Sequence, residues 1–250
     1  MSKPAAPLRI VQWTTGNVAR QTVRAILARN DLQLVGAFAH SKSKDGRDIA
    51  DLCNLPTPTG ITATRDVAAL LALGADCVVY TPLHIDVDEV ATILRAGVNV
   101  VTSAEFLTGA TLGANAVAKL EAAAAAGRAT LFGSGMNPGF INLIAGVTAG
   151  ASLGVRHVRV TESVDVSLYA GDGNMDALGW GRPHNDPGHA ADVERATVVF
   201  AEGLEVLARI LGLKSYEPRC TVDTALATVD LDLPGRPITK GTVAGLDVRW

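Results

Sequence analysis

The sequence predicts an α/β chain, with a doubly wound parallel sheet first and a second, α+β region after it. Three observations predict this. Short apolar runs alternate with helix-patterned segments as far as residue 136, through connections short enough for right-handed crossovers. Apolar residues make up 48% of the chain and aromatics only 4%, so Ala, Val, Leu and Gly must carry the core, as in buried parallel strands. From Val155 the texture changes to a two-residue alternation, which marks one-faced strands.

The first unit is the most informative. Leu8 to Trp13 is an apolar run, Thr14-Thr15-Gly16 a tight turn, and the helix that follows places Val23, Ile26 and Leu27 on one face. Strand, glycine turn and helix open a Rossmann domain. There the unpaired N–H groups of the helix's first turn, at the positive end of its dipole, accept a pyrophosphate. The glycine positions of G-x-G-x-x-G read Thr14, Gly16 and Ala19. The middle one, where backbone approaches phosphate, is kept; Ala at the third still allows close helix–strand packing; Thr at the first is a departure. Thr14, Thr15, Gly16, Asn17 and Val18 are therefore candidate cofactor residues.

Leu32 to Ala39 is the second expected strand, ending at His40-Ser41-Lys42-Ser43-Lys44. An acid usually holds the ribose 2′-hydroxyl of NAD at this point. His40, Ser41 and Lys42 suit a 2′-phosphate instead, so NADP(H) is the expected cofactor, with NAD(H) left open because Asp45 is close and a solvated basic loop reads the same way.

Residues 45–60 form a polar, proline-rich connection with one helical turn at Asp48 to Leu52. Thr64 to Leu73 is an expected helix that Asp66 caps or starts. Ala75 to Tyr80 is a strand broken by Thr81-Pro82, Asp86 to Ala96 a helix ended by Gly97, and Val98 to Val101 the next strand. Ala114 to Ala126 is an alanine-rich helix with Leu120 on its packed face, and Ala129 to Phe132 a further strand. A second glycine-rich turn, Gly133 to Phe140, leads into an apolar helix from Ile141 to about Ala151. The pattern then predicts a long strand over Val155 to Leu168, a glycine-rich loop over 170–188, a long helix from Ala190 to Leu211, and strands at Cys220 to Leu233 and Thr242 to Trp250. The expected domains are 1–136, binding NAD(P), and 137–250, for substrate and dimerisation. The chain stops inside a strand pattern, which a cropped second domain and a last strand at a sheet edge explain alike.

Composition narrows the function. The net charge of −3 is evenly mixed, which leaves no nucleic-acid surface and no polybasic membrane anchor. Cys53, Cys77 and Cys220 lack metal or redox spacing and read as reduced thiols, so a cytoplasmic protein is expected. No apolar run is long enough for a membrane helix, and Met1 to Pro7 lacks the core of a signal peptide.

Ligands bind parallel sheets at the carboxyl ends of the strands. That rule selects Thr14 to Ala19, Tyr80-Thr81-Pro82, and Thr102-Ser103-Ala104-Glu105-Phe106. Glu105 is the candidate catalytic group. Flanked by Ala104 and Phe106-Leu107, it is expected to be partly desolvated, which tunes a carboxyl toward acid/base work. An exposed glutamate stabilising a helix start explains the same residue equally well.

The stretches Trp13 to Val18, Tyr80 to Pro82, Thr102 to Phe106 and Gly133 to Phe140 resemble the dihydrodipicolinate-reductase-like family, in its branch of 2,4-diaminopentanoate dehydrogenases and native NAD(P)H-dependent amine dehydrogenases. The resemblance is specific over the first 140 or so residues and diffuse afterwards. It implies that Glu105 is catalytic and that the first turn, Tyr80, Thr81, Pro82, Thr102 and Ser103 hold the cofactor. The reaction it implies is reductive amination of a small ketone or aldehyde with ammonia, with a small-molecule carbonyl or amine as partner. The His-His-Lys signature of true dihydrodipicolinate reductases is missing after Glu162, and the Glu-Lys-Pro of sugar dehydrogenases is missing at Glu105.

In the second half, Asn137 is expected near the nicotinamide, although a residue before Pro138 also serves as turn chemistry. Phe140, Tyr169 and Trp180 are expected to wall the substrate, each having core packing as its plainer explanation. His184 and His189 read as a surface loop, without metal-ligand spacing; His40, His84 and His157 read as isolated. A homodimer is expected, to cover an exposed sheet face. Two other readings stay open: a reductase of a cyclic imine or keto-acid, and a non-catalytic NADP(H)-binding redox sensor.

Overall fold

The computed structural model describes residues 6–171 and 174–250, without the side chains of Tyr169 and Asn174. The chain forms two compact units, Met1–Gly135 and Met136–Trp250.

In the first unit the elements run β1 (Leu8–Trp13), α1 (Asn17–Leu27), β2 (Leu32–Phe38), α2 (Ile49–Cys53), β3 (Ala63–Thr64), α3 (Val67–Leu71), β4 (Cys77–Tyr80), α4 (Val87–Arg95), β5 (Asn99–Thr102), α5 (Ala114–Gly127) and β6 (Leu131–Gly133). The six strands form one sheet in the order β3-β2-β1-β4-β5-β6. All neighbours are parallel. Strand order reverses between β1 and β4, so the switch point of a doubly wound sheet lies there, with its crevice outside the carboxyl ends of those two strands.

Alternation along each strand builds two cores. Ile10 faces Val23, Ile26, Leu34 and Ile49 on the α1–α2 side. Val11 and Trp13 face Val90, Ile93, Leu94 and Val100 on the α4–α5 side. Helix starts are fixed locally: Asp66 caps α3 through Ala69 N–H at 3.0 Å, and Asp86 caps α4 through Asp88 and Glu89 N–H at 2.9 and 3.0 Å. Asp48 caps α2 and also ties down Thr59 and Gly60. The Ala50 N–H first, then the Thr59 hydroxyl, hold its carboxyl down at about 2. The short strand β3 was absent from the sequence expectation, which ran helix through Thr64.

The second unit comprises α6 (Ile141–Gly150), α7 (Asn174–Leu178), α8 (His189–Ala196), α9 (Val199–Ile210), β7 (Thr221–Leu226), β8 (Leu231–Leu233), β9 (Arg236–Ile238) and β10 (Val243–Arg249). β7 and β10 pair antiparallel, as do β8 and β9.

Here the sequence expectation needs five corrections. Residues 155–166 form no strand among the described residues. The expected alternation holds only locally, Val158 and Val160 being partly covered and Arg159 exposed while Val164 is exposed, and no second strand pairs with them. A β pattern specifies a face, and only a partner makes a ladder. The expected loop at 170–188 contains α7. The expected helix over Ala190 to Leu211 is two helices broken at Thr197-Val198. Thr197 Oγ1 donates back to the Val193 carbonyl at 2.8 Å and accepts from Trp250 Nε1 at 3.0 Å, within a β-branched Thr-Val-Val run that propagates helix poorly. The expected strand over Cys220 to Leu233 is two strands, and Pro234-Gly235 turns the second into β9 with Gly235 at φ +72°. His189 is also corrected. It is 4% exposed and bonded to the Leu178 carbonyl at 2.8 Å, because it starts α8 rather than standing in a surface loop.

Among the described residues, no helix is long and apolar enough to cross a membrane. The three cysteines are free thiols, and burial pushes each of them up from the ordinary thiol value.

Candidate active site

Register places the strand ends of the first unit in a row. Phe38 pairs with Trp13, Trp13 with Tyr80, Tyr80 with Thr102, and Thr102 with Gly133. The residues just beyond this row, Thr14, Thr81 and Ser103 among them, therefore share the carboxyl rim of the sheet.

Thr14 sits at φ +85°, in the left-handed region that a β-branched residue rarely enters. The first position of the glycine motif keeps its backbone shape even though the glycine is gone. Its hydroxyl lies 3.2 Å from both the Thr81 carbonyl and Thr81 Oγ1, which ties the end of β1 to the end of β4. Gln12, fully buried, joins this network by donating to Thr81 Oγ1 at 2.8 Å and to the Trp13 carbonyl at 3.0 Å. The network offsets strain that costs about 1–3 kcal/mol. Truncation to alanine keeps the strain and loses the bonds; glycine loses the bonds and the strain together. Thr14→Ala is expected to be less stable than Thr14→Gly by about 1 kcal/mol in urea unfolding, and equal or inverted stabilities would refute the strain.

Among the described residues no side chain caps α1, whose preceding residue Gly16 is in extended backbone. A Cβ built on Gly16 meets nothing within 4 Å, and Val18 is 54% exposed beside it. An uncapped first turn with open space in front of it fits a dinucleotide pyrophosphate. Thr15 is buried, and its hydroxyl accepts from Lys44 Nζ at 3.0 Å. The basic loop after β2 thus folds back onto the turn. Asp45 accepts from the Arg65 backbone N–H at 3.2 Å, while Arg65 Nε donates to the His40 carbonyl at 2.9 Å. Arg65 brings a further cation to the loop that holds Ser41 and Lys42. The Ser41 and Ser43 hydroxyls are 2.7 Å apart. His40 stands edge-on to Phe38, with ring centroids 4.7 Å apart.

Tyr80 is not at the rim. It is 1% exposed, its hydroxyl donates to Glu89 Oε2 at 2.8 Å and accepts from Asp86 N–H at 3.1 Å, and burial pushes the phenol up. Its side chain builds the core and the start of α4, which corrects its place among cofactor residues; what this segment offers a ligand is Thr81 and Pro82, both partly exposed. Thr102 is also buried and caps the next turn through Ala104 N–H at 2.9 Å, leaving Ser103 as the exposed member of the pair.

Glu105 follows β5 at φ +38°. Among the described residues four non-glycine residues have positive φ; Asn54 and Arg128 end helices, where that conformation is ordinary, whereas Thr14 and Glu105 have no such reason and both lie on the rim. The Glu105 side chain is 41% exposed, more open than the flanking apolar residues led us to expect. Its Oε2 lies 2.8 Å from His84 Nδ1. His84 therefore has a partner, contrary to its expected isolation. Phe106 beside it is wedged by two glycines: a Cβ would lie 2.2 Å from its carbonyl oxygen at Gly133 and 2.8 Å from its ring at Gly109.

In the second unit, Asn137 Nδ2 donates to Glu162 Oε2 at 2.8 Å. Phe140 is 55% exposed, and Trp180 is half-buried with its indole N–H unpaired among the described residues. The side chain of Tyr169 lies outside the described residues. A cleft of about 400 Å³ runs between α6 and residues 155–161, with His157 and Arg159 on its wall.

No family model matches the chain. Over 222 residues it is 31% identical to an amine dehydrogenase of Streptomyces virginiae, covering 85% of this chain and 62% of that protein. Over 66 residues it is 36% identical to a 4-hydroxy-tetrahydrodipicolinate reductase of Synechococcus elongatus, covering 26% of this chain and 24% of that one. Among solved structures, it superposes on an amine dehydrogenase from Mycobacterium smegmatis with a TM-score of 0.80, over 96% of this chain and 72% of that one, at 23% identity. The chain thus spans less than two thirds of the length of either curated relative.

Proposed function

We propose that this chain, a homologue of an amine dehydrogenase, carries out NAD(P)H-dependent reductive amination of a small ketone or aldehyde with ammonia, and the reverse oxidative deamination. The observation that carries the reading is Glu105: an acid held in strained backbone on the rim of the same sheet whose first helix starts uncapped.

Cofactor binding would fall to the Thr14–Val18 turn, Thr81, Pro82 and Ser103. Nicotinamide, when bound, supplies a hydride. Glu105 takes a proton from ammonium and frees ammonia to add to the carbonyl. It returns that proton to the hydroxyl of the carbinolamine, which leaves as water, and its carboxylate then stabilises the iminium cation. A carboxylate suits an electrophile that is positive when it is reduced.

The test is dinucleotide oxidation with a panel of small ketones and aldehydes in ammonium buffer. Turnover should need the carbonyl and ammonium together. Equal consumption without ammonium would make the chain an alcohol dehydrogenase. Dinucleotide binding without any turnover would leave a sensor.

NADP(H) is the proposed preference, supported by Lys44, Arg65 and Ser41 around the end of β2 and by Asp45 being engaged elsewhere. A charge-assisted hydrogen bond to phosphate is worth about 1.5 kcal/mol or more. Lys44→Ala should therefore raise KM for NADPH about tenfold and KM for NADH less than about threefold. Equal changes in both would remove the preference.

A further inference from the structure

We propose that His84 is a proton-relay residue that connects Glu105 to solvent; this inference rests on the acid/base reading of Glu105 above. β4 and β5 are adjacent and in register at Tyr80 and Thr102. His84 stands four residues beyond the first and Glu105 three beyond the second, so two neighbouring strands deliver them to one place. Nδ1 and Oε2 are 2.8 Å apart, hydrogen-bond distance. A carboxylate only accepts, so Nδ1 carries the proton in this contact. The His84 side chain is 73% exposed and that of Glu105 41%, which grades the pair from solvent toward the sheet.

The acids at the start of α4 are committed. Asp86 caps α4, Glu89 accepts from Tyr80, and Asp88 pairs with Lys119 of α5. Between Thr102 and Leu112, Glu105 is the one ionisable side chain.

The reaction needs such a path. With ammonium entering, hydride addition to the iminium gives a neutral amine, and the proton borrowed by Glu105 has left in water. For the product to depart as an alkylammonium ion, one proton must come from solvent. His84 takes it at Nε2, releases the Nδ1 proton to Glu105 Oε2, and Glu105 passes it to the amine nitrogen. Solvent exchange on the ring restores the starting tautomer. In deamination the same chain runs outward.

Two variants separate relay from positioning. His84→Ala removes donor and relay; His84→Asn keeps an N–H donor near the place of Nδ1 but cannot pass a proton on. Both should lose about tenfold in kcat with KM for carbonyl and ammonium within about twofold, and added imidazole should restore most of the loss in His84→Ala. Nitrogen-15 NMR of the wild-type protein should show a protonated Nδ1 on His84, reverting to the Nε2–H tautomer in Glu105→Leu. The relay is overturned if either variant keeps wild-type kcat, if His84→Asn restores what His84→Ala loses, if imidazole rescues nothing, or if Nδ1 carries no proton. Wild-type protein without ammonium-dependent turnover overturns the amine reading and the relay with it. An active wild type with indifferent His84 variants overturns the relay alone.

Discussion

Glu105→Gln is expected to lower kcat for ammonium-dependent turnover by about a thousandfold, within the range that a positioned acid/base contributes, while dinucleotide affinity stays within about twofold. The substitution is nearly isosteric. Gln adopts φ +38° no less readily than Glu, and its amide oxygen can still accept from His84. Only the capacity to take and return a proton is lost, along with the negative charge that favours the iminium cation. Affinity should survive because the proposed pyrophosphate contacts are made by the turn after β1. Single-turnover rates by stopped flow, set beside a fluorescence titration of the dinucleotide, measure the two effects separately. A variant retaining more than about a tenth of the wild-type rate would remove Glu105 from the chemistry.

Gly133→Ala is expected to cost about 3 kcal/mol of stability, the upper end of ordinary overpacking, because the clash is with backbone. The added methyl would lie 2.2 Å from the Phe106 carbonyl oxygen, 2.7 Å from its ring and 2.8 Å from Leu107 Cα. A rotamer change relieves the ring contact but not the other two, so β6 or residues 106–107 must move. Those residues adjoin Glu105, and a misplacement of about 1 Å can cost a hundredfold in rate. Gly133→Ala should therefore lose activity beyond its loss of folded protein, while the turn after β1 still binds dinucleotide. Urea midpoints, kcat and dinucleotide Kd on the same preparation decide it. An unchanged midpoint would mean that the β5–β6 rim yields more easily than its contacts imply.

Five strands of the parallel sheet were legible because each is an apolar run closed by a turn residue, and α3 and α4 carry their own start signals in Asp66 and Asp86; β3, only Ala63–Thr64, has too short a run to be read. The second unit was less legible because its pattern has two solutions. The valines of 155–166 specify a strand face without a partner for it, and the Thr-Val-Val run breaks a helix whose apolar stripe continues on both sides. Within the site, the Thr14–Val18 turn and Glu105 could be read as local motifs. Lys44 on Thr15 and His84 on Glu105 could not, since residues 29 and 21 positions apart meet only through the loop fold and the strand register. Two signals were available and unused. Gln12 is a polar residue between Val11 and Trp13 in an apolar run, which implies a buried bond. Tyr80 lies two residues after Val78, and that spacing puts both side chains on the buried face.

Trp13 is fully buried, stacked on Phe38 at 4.4 Å between centroids, with its indole N–H unbonded among the described residues. It is the single tryptophan in residues 1–135; Trp180 and Trp250 belong to the other unit. Its ultraviolet emission is accordingly expected to be that of an indole in a dry, apolar cage, shifted to the blue. A reddening of that emission dates the moment water reaches the carboxyl end of β1, and gives the sheet an optical clock that the second unit does not share.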